Sequence, residues 1–186
     1  MMGRKSRPPI ERVGNSYRFN LDLEEREMIH RLMGELRALL QSQDAEPKQN
    51  AGADAGRDDG PNDGQNDERL RRLFPTAYHE ASDQEFDEEF HRLMRDELLT
   101  SRLKGLDAVE EFMAAARGDR ATATEAQMMA FLQALNGIRL VLGTMLDISE
   151  DHDLGEVHEN HPLAGEYNLY DFLSWVLDWS VRAVQS

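Results

Sequence analysis

Residues 135 to 146, Leu-Asn-Gly-Ile-Arg-Leu-Val-Leu-Gly-Thr-Met-Leu, constrain this chain more than any other stretch. Nine of the twelve are Leu, Ile, Val, Met or Gly, so the segment reads as a helix inside a core. It nevertheless carries Arg139, and three positions earlier Asn136, which share one side of such a helix. A buried guanidinium without a counter-charge would cost several kcal/mol, so Arg139 requires a polar partner. Asp96, Asp107 and Glu110 are the acids expected to meet it from an adjacent helix. Asn136, Arg139, Asp96 and Asp107 are then a polar staple fixing helix register. An anion or ligand site inside the bundle is the alternative. Gly137 and Gly143 suit close helix approach.

The remaining pattern is also helical. Asp22 with Glu25 makes a capping box, and Met28, Ile29, Leu32, Leu36, Leu39 and Leu40 line one side of a helix to about Gln41. Ser82 with Glu85 opens another through Phe86, Phe90, Leu93, Met94 and Leu98 toward Leu103. Gly105 is expected to bend or break it. Leu106, Val109, Phe112, Met113 and Ala116 give a further helix, residues from about Thr124 to Ile148 another, and Asn168 to Ala183 the last. Ahead of all these, Ile10–Val13, Gly14-Asn15 and Ser16–Leu21 read as a β-hairpin, the two turn residues supplying positive φ. The fold class is therefore mainly α: a single bundle of about five helices with a short N-terminal β-hairpin on its edge.

Domain organisation follows from composition. Residues 1–9 form a basic arm, and 10–43 a hairpin plus helix too small for its own core, which must dock on the main bundle. Residues 44–67 contain no Leu, Ile, Val or aromatic and read as a disordered acidic linker, about 25–30 Å across as a coil. Residues 68–186 supply the bundle. Leu70, Leu73 and Phe74 form an apolar knot among Arg69, Arg71 and Arg72, which are expected to bind the protein's own acidic helices.

Charge narrows the function. The net charge is −15, but residues 1–20 hold five cations against Glu11, a net of +4, leaving −19 on the rest. Such a surface repels phosphate backbones and favours basic protein surfaces. DNA is a weak option, confined to the arm at Arg4, Lys5 and Arg7. With no cysteine there is no disulfide, thiolate metal site or cysteine nucleophile, and the cytoplasm is the simplest compartment. No run of about 20 apolar residues calls for a membrane. His152, His158 and His161 stand among acids, but their spacing matches no metal signature, so a solvated loop is expected. Glu88 and Glu89 fall on a charged helix face. Ser82 and Ser174 lack a G-x-S-x-G context, and no glycine-rich phosphate loop follows a strand, so neither enzyme nor cofactor is expected. The last helix is apolar nearly all round. Tyr170, Phe172, Trp175 and Trp179 are its candidate contacts for a protein partner or a second copy, with burial in the core as the alternative.

Five segments carry a family resemblance: Arg72-Leu-Phe-Pro-Thr-Ala-Tyr78, Asp96-Glu-Leu-Leu99, Leu106-Asp-Ala-Val-Glu-Glu111, Leu135-Asn-Gly-Ile-Arg-Leu-Val-Leu-Gly-Thr144 and Tyr170-Asp-Phe-Leu-Ser-Trp175. Through them the chain resembles the AosR-like actinobacterial family of oxidative-stress transcriptional regulators, formerly an actinobacterial domain of unknown function. The resemblance implies regulation through contact with a sigma factor in response to oxidation. It does not carry over a cysteine switch, since the chain has no cysteine. A link to an adaptor of the Clp protease is the second role the resemblance implies.

Overall fold

Ile10–Val13 (β1) and Ser16–Phe19 (β2) pair antiparallel with Ile10 opposite Phe19 and Val13 opposite Ser16, closing a two-residue turn. Gly14 takes φ +63°, whereas Asn15 is not left-handed, as in a turn that places glycine first. The computed structural model describes residues 7–42, 73, 84–116, 120–148 and 161–186, the side chains of 84–95 excepted. The tip of the arm, most of the linker and its flanks, and the loop 149–160 lie outside the described residues.

After the hairpin come α1 (Leu23–Ser42), α2 (Gln84–Ala114), β3 (Ala121–Ala123), α3 (Glu125–Met145) and α4 (Ala164–Gln185). Two expectations need correcting. The first is the hairpin's place. β3 pairs with β2, Tyr17 opposite Ala123 and Phe19 opposite Ala121, so β2 is the middle strand of a three-stranded sheet. Ala-Thr-Ala alternates buried, exposed, buried, but three small residues are too short a run for that period to stand out. The second is the helix count, which is four rather than five among the described residues. Gly105 does not break α2, because Leu99, Leu106, Val109 and Phe112 keep one helical phase across it and all are buried. A Cβ at Gly105 would sit 3.8 Å from Ala130 Cβ, so the glycine lies where α2 meets α3.

The core forms where sheet and helices meet. Phe19 of β2 packs against Phe112 of α2 and Phe131 of α3, with ring centroids 5.0 and 4.9 Å away. Ile10, Tyr17 and Leu21 bury beside them. α3 touches α1, α2, α4, β2 and β3. It is also the one described helix long and apolar enough to cross a membrane by length and composition, and its central place accounts for that composition.

α1 begins with the expected capping box. Asp22 N donates to Glu25 Oε2 at 2.8 Å, and Glu25 N donates to Asp22 Oδ1 at 2.9 Å. Its buried line is Ile29, Met33, Leu36 and Leu40, with Met28, Leu32 and Leu39 only half-buried at its margins. Arg37, at the edge of that line, ties α1 to α2 through Asp107 (2.8 Å) and Glu110 (3.1 Å). Thr124 and Gln127 cap α3 reciprocally. Its far end closes with Ile148 N bonded to Gly143 O and Asp147 N to Thr144 O, which holds Asp147 at φ +52°.

Candidate functional site

Among the described residues, Arg139 meets no acid. Its Nε donates to Ser174 Oγ at 2.8 Å, and its guanidinium carbon stands 4.9 Å from the Tyr170 ring centroid, both on α4. Ser174 in turn donates to the Tyr170 carbonyl at 2.8 Å, which leaves its oxygen lone pairs facing Arg139. A hydroxyl and a ring face thus do together what a carboxylate was expected to do, at the seam between α3 and α4. Gly143 makes room for this arrangement, since a Cβ there would lie 3.3 Å from Tyr170 Cε2. Gly137 is equally close to Leu36 and Leu73.

The acids assigned to Arg139 are elsewhere. Asp107 and Glu110 belong to Arg37, and Asp96 is exposed on α2. Burial lowers the pKa of Arg37, but hydrogen bonds and charge from Asp107 and Glu110 outweigh it, leaving a net rise. Arg102 moves the other way, its pKa lowered by burial while Nη2 donates to the Leu73 carbonyl at 2.6 Å. Leu73, from the expected apolar knot, is buried. Arg69, Arg71 and Arg72 lie outside the described residues.

Asn136 is exposed, and it opens onto the feature that sequence reading missed. An open groove of about 730 Å³ runs over α2, α3 and α4. α2 contributes Ser101 and Gly105, and α4 contributes Leu177 and Val181. From α3 come Ala126, Met129, Ala130, Leu132, Gln133 and Asn136, a run of helical neighbours with no described helix laid over them. No described lining residue carries an ionisable side chain. Met129 is 53% exposed and Val181 39%, large apolar side chains left facing solvent. The legible signal was α3 itself, apolar on more sides than its described neighbours cover.

The aromatic residues of α4 divide. Tyr170 is buried at 8% exposure, so its place in a partner interface is corrected: its ring is occupied by Arg139 and Gly143. Trp175 is 42% exposed, 6.1 Å from the half-buried Phe172 ring. Trp179 is half-buried, with Arg182 over it at 5.7 Å. Trp175 lies two positions from Leu177, about 200° round the helix, so it does not face the groove.

Arg7 of the arm is exposed, while Arg4 and Lys5 lie outside the described residues. The hairpin's cations are engaged locally: Arg18 with Glu11 at 3.3 Å, Arg12 over Tyr17 at 6.0 Å. Of the histidine loop, His152 and His158 also lie outside. His161 is exposed, accepts from Leu163 N at 3.2 Å and meets Tyr167 edge-on, close to the start of α4. No group of metal-ligating side chains occurs among the described residues.

The matched family model, described as a domain of unknown function (DUF2017), covers residues 6–184, and so every element above but for the last residue of α4. The chain belongs to the DUF2017 family. Curated relatives named "Oxidative stress regulator AosR", from Mycobacterium bovis and Mycobacterium tuberculosis, are 27% identical over 186 aligned residues. The alignment spans 91% of this chain and 83% of each relative. No solved structure matches it. Within this DUF2017 chain, the groove, the Arg139–Ser174–Tyr170 contact and the Arg37 ion pairs are the polar and surface features to which a function can be attached.

Proposed function

We propose that this protein is a non-enzymatic cytoplasmic regulator in a stress response, which works by binding another protein, a sigma-factor-type component of the transcription machinery. The observation that carries the reading is the groove: open, apolar in its walls, with no acid or base among its described lining residues to activate its one hydroxyl there, Ser101. An exposed apolar surface of that form suits a protein contact better than a small substrate, which is normally enclosed. The net charge of −15 adds a preference for basic partners. The name of the relatives, oxidative stress regulator, supports the stress-response part. Thiol chemistry within these 186 residues cannot be the sensor, because they include no cysteine.

The test is genetic. Deleting the gene should alter transcript levels of a defined gene set after peroxide exposure, and the wild-type chain should restore them. Co-purification of a tagged chain should recover RNA polymerase with a sigma factor bound. An unchanged transcript profile in the deletion strain, with no polymerase recovered, refutes the proposal.

A further inference from the structure

The groove also indicates what kind of partner surface it takes, an inference that rests on the protein-contact reading above. We propose that it seats an amphipathic helix from a cationic protein, apolar face down and Lys or Arg side chains along its flanks. Three observations lead there. First, the lining holds small residues, Gly105, Ala126 and Ala130, beside the large exposed side chains of Met129 and Val181. A backbone cylinder can approach closely over the small residues, and the large ones can pack against its side chains. Second, the lining of α3 runs from Ala126 to Asn136, a rise of roughly 15 Å, which matches about three turns of an added helix. Leu or Met at i, i+3 and i+7 would then meet the walls in turn.

Third, charge selects among occupants. The lining is uncharged, so contact across it is apolar. Around it, Glu97, Glu125 and Asp178 lie within one helical turn of lining positions Ser101, Ala126 and Leu177. Asp178 and Arg182 offset each other at 2.9 Å, Arg102 is turned to the Leu73 carbonyl and Arg139 to Ser174, which leaves Glu97 and Glu125 against Lys104 among the described rim residues. A helix with basic flanks is attracted to this rim, and an acidic one is repelled. A second copy of this chain, itself at −15, is disfavoured for the same reason.

The experiment uses the full chain and two labelled helical peptides with identical apolar faces, one flanked by Lys and the other by Glu, read by fluorescence anisotropy. The Lys peptide should bind, weaken several-fold on raising salt to ~0.3 M, and exceed the Glu peptide by about tenfold or more. The decisive variant is Met129→Glu with Val181→Glu. Both sites are exposed, so the fold should persist by circular dichroism. Simple charge attraction would make this more acidic variant bind the Lys peptide more tightly. Loss of apolar anchoring should instead weaken it, by about tenfold. Trp175→Ala, on the other side of α4, should leave binding unchanged. The proposal fails if the Lys peptide does not bind, if the Glu peptide binds equally, or if the double variant binds as well as wild type. It fails too if sedimentation shows a wild-type dimer that the double variant dissolves, since a second copy then fills the groove. A transcript change in the deletion strain alongside failure here would leave the regulator reading standing and move its contact surface elsewhere.

Discussion

Replacing Arg139 by Met tests the least expected contact in the structure. Methionine keeps much of the aliphatic stem and removes the guanidinium. Two interactions disappear: the 2.8 Å bond from Nε to Ser174 Oγ and the stacking on Tyr170 at 4.9 Å. A hydrogen bond from a charged group contributes about 1.5–3 kcal/mol, and a cation over an aromatic face about 0.5–2 kcal/mol depending on its desolvation. Removing the half-buried charge returns part of its desolvation cost, so the net loss should be about 1–2 kcal/mol. For a chain of this length that lowers the Tm by about 3–6 °C. A double-mutant cycle then separates partners. Arg139→Met with Ser174→Ala should show a coupling of about 1 kcal/mol in urea unfolding, and the same cycle with Tyr170→Leu a similar value. Arg139→Met with Asp107→Ala should be additive within about 0.5 kcal/mol, because Asp107 is held by Arg37. Coupling of Arg139 to Asp107, with none to Ser174 or Tyr170, would refute the reasoning and restore the carboxylate staple.

Four other substitutions probe the fold. Phe19→Ala empties the centre of the ring cluster it forms with Phe112 and Phe131, and should cost about 3–5 kcal/mol by urea unfolding; a loss near 1 kcal/mol would mean the sheet is not packed on α2 and α3. Asp147→Gly relieves a side chain held at φ +52° and should raise stability by about 0.5–1 kcal/mol, seen as a higher Tm, whereas an unchanged or lower Tm would deny the left-handed cap. Gly105→Ala has ordinary contact room at 3.8 Å and should stabilise by about 0.5–1 kcal/mol through helix propensity. Gly143→Ala meets the Tyr170 ring at 3.3 Å and should forfeit that gain, so calorimetry giving both the same sign and size would contradict the packing at one of them.

Much of the fold was legible from local pattern. The Asp22–Glu25 capping box, the start of α3 at Thr124, the Gly14 turn and the close-approach glycines are each written within a few residues, where spacing alone decides geometry. α4 was legible in kind but began earlier, at Ala164, since Leu163 offers no side-chain cap to mark the boundary. β3 stayed hidden because Ala-Thr-Ala has neither bulk nor length, and its pairing depends on strand β2 far back in the chain. Gly105 was misread for a related reason: propensity counts its missing side chain as a break, while the neighbouring helix uses it as contact surface. Of the groove only the apolar excess of α3 was legible, because an uncovered face exists only once neighbouring helices have been placed.

Sequence alone determined that Leu135, Ile138, Leu142 and Leu146 would lie inside and that Arg139 would need a polar answer, because burying a bare guanidinium is prohibitive for any fold. Tertiary structure decided what that answer is. Ser174 stands 35 positions from Arg139, and Arg37 captures acids 70 and 73 positions along. Such pairings depend on how each helix is rotated and slid against the next, which the whole core settles at once by burying Phe19, Phe131 and Leu135 together.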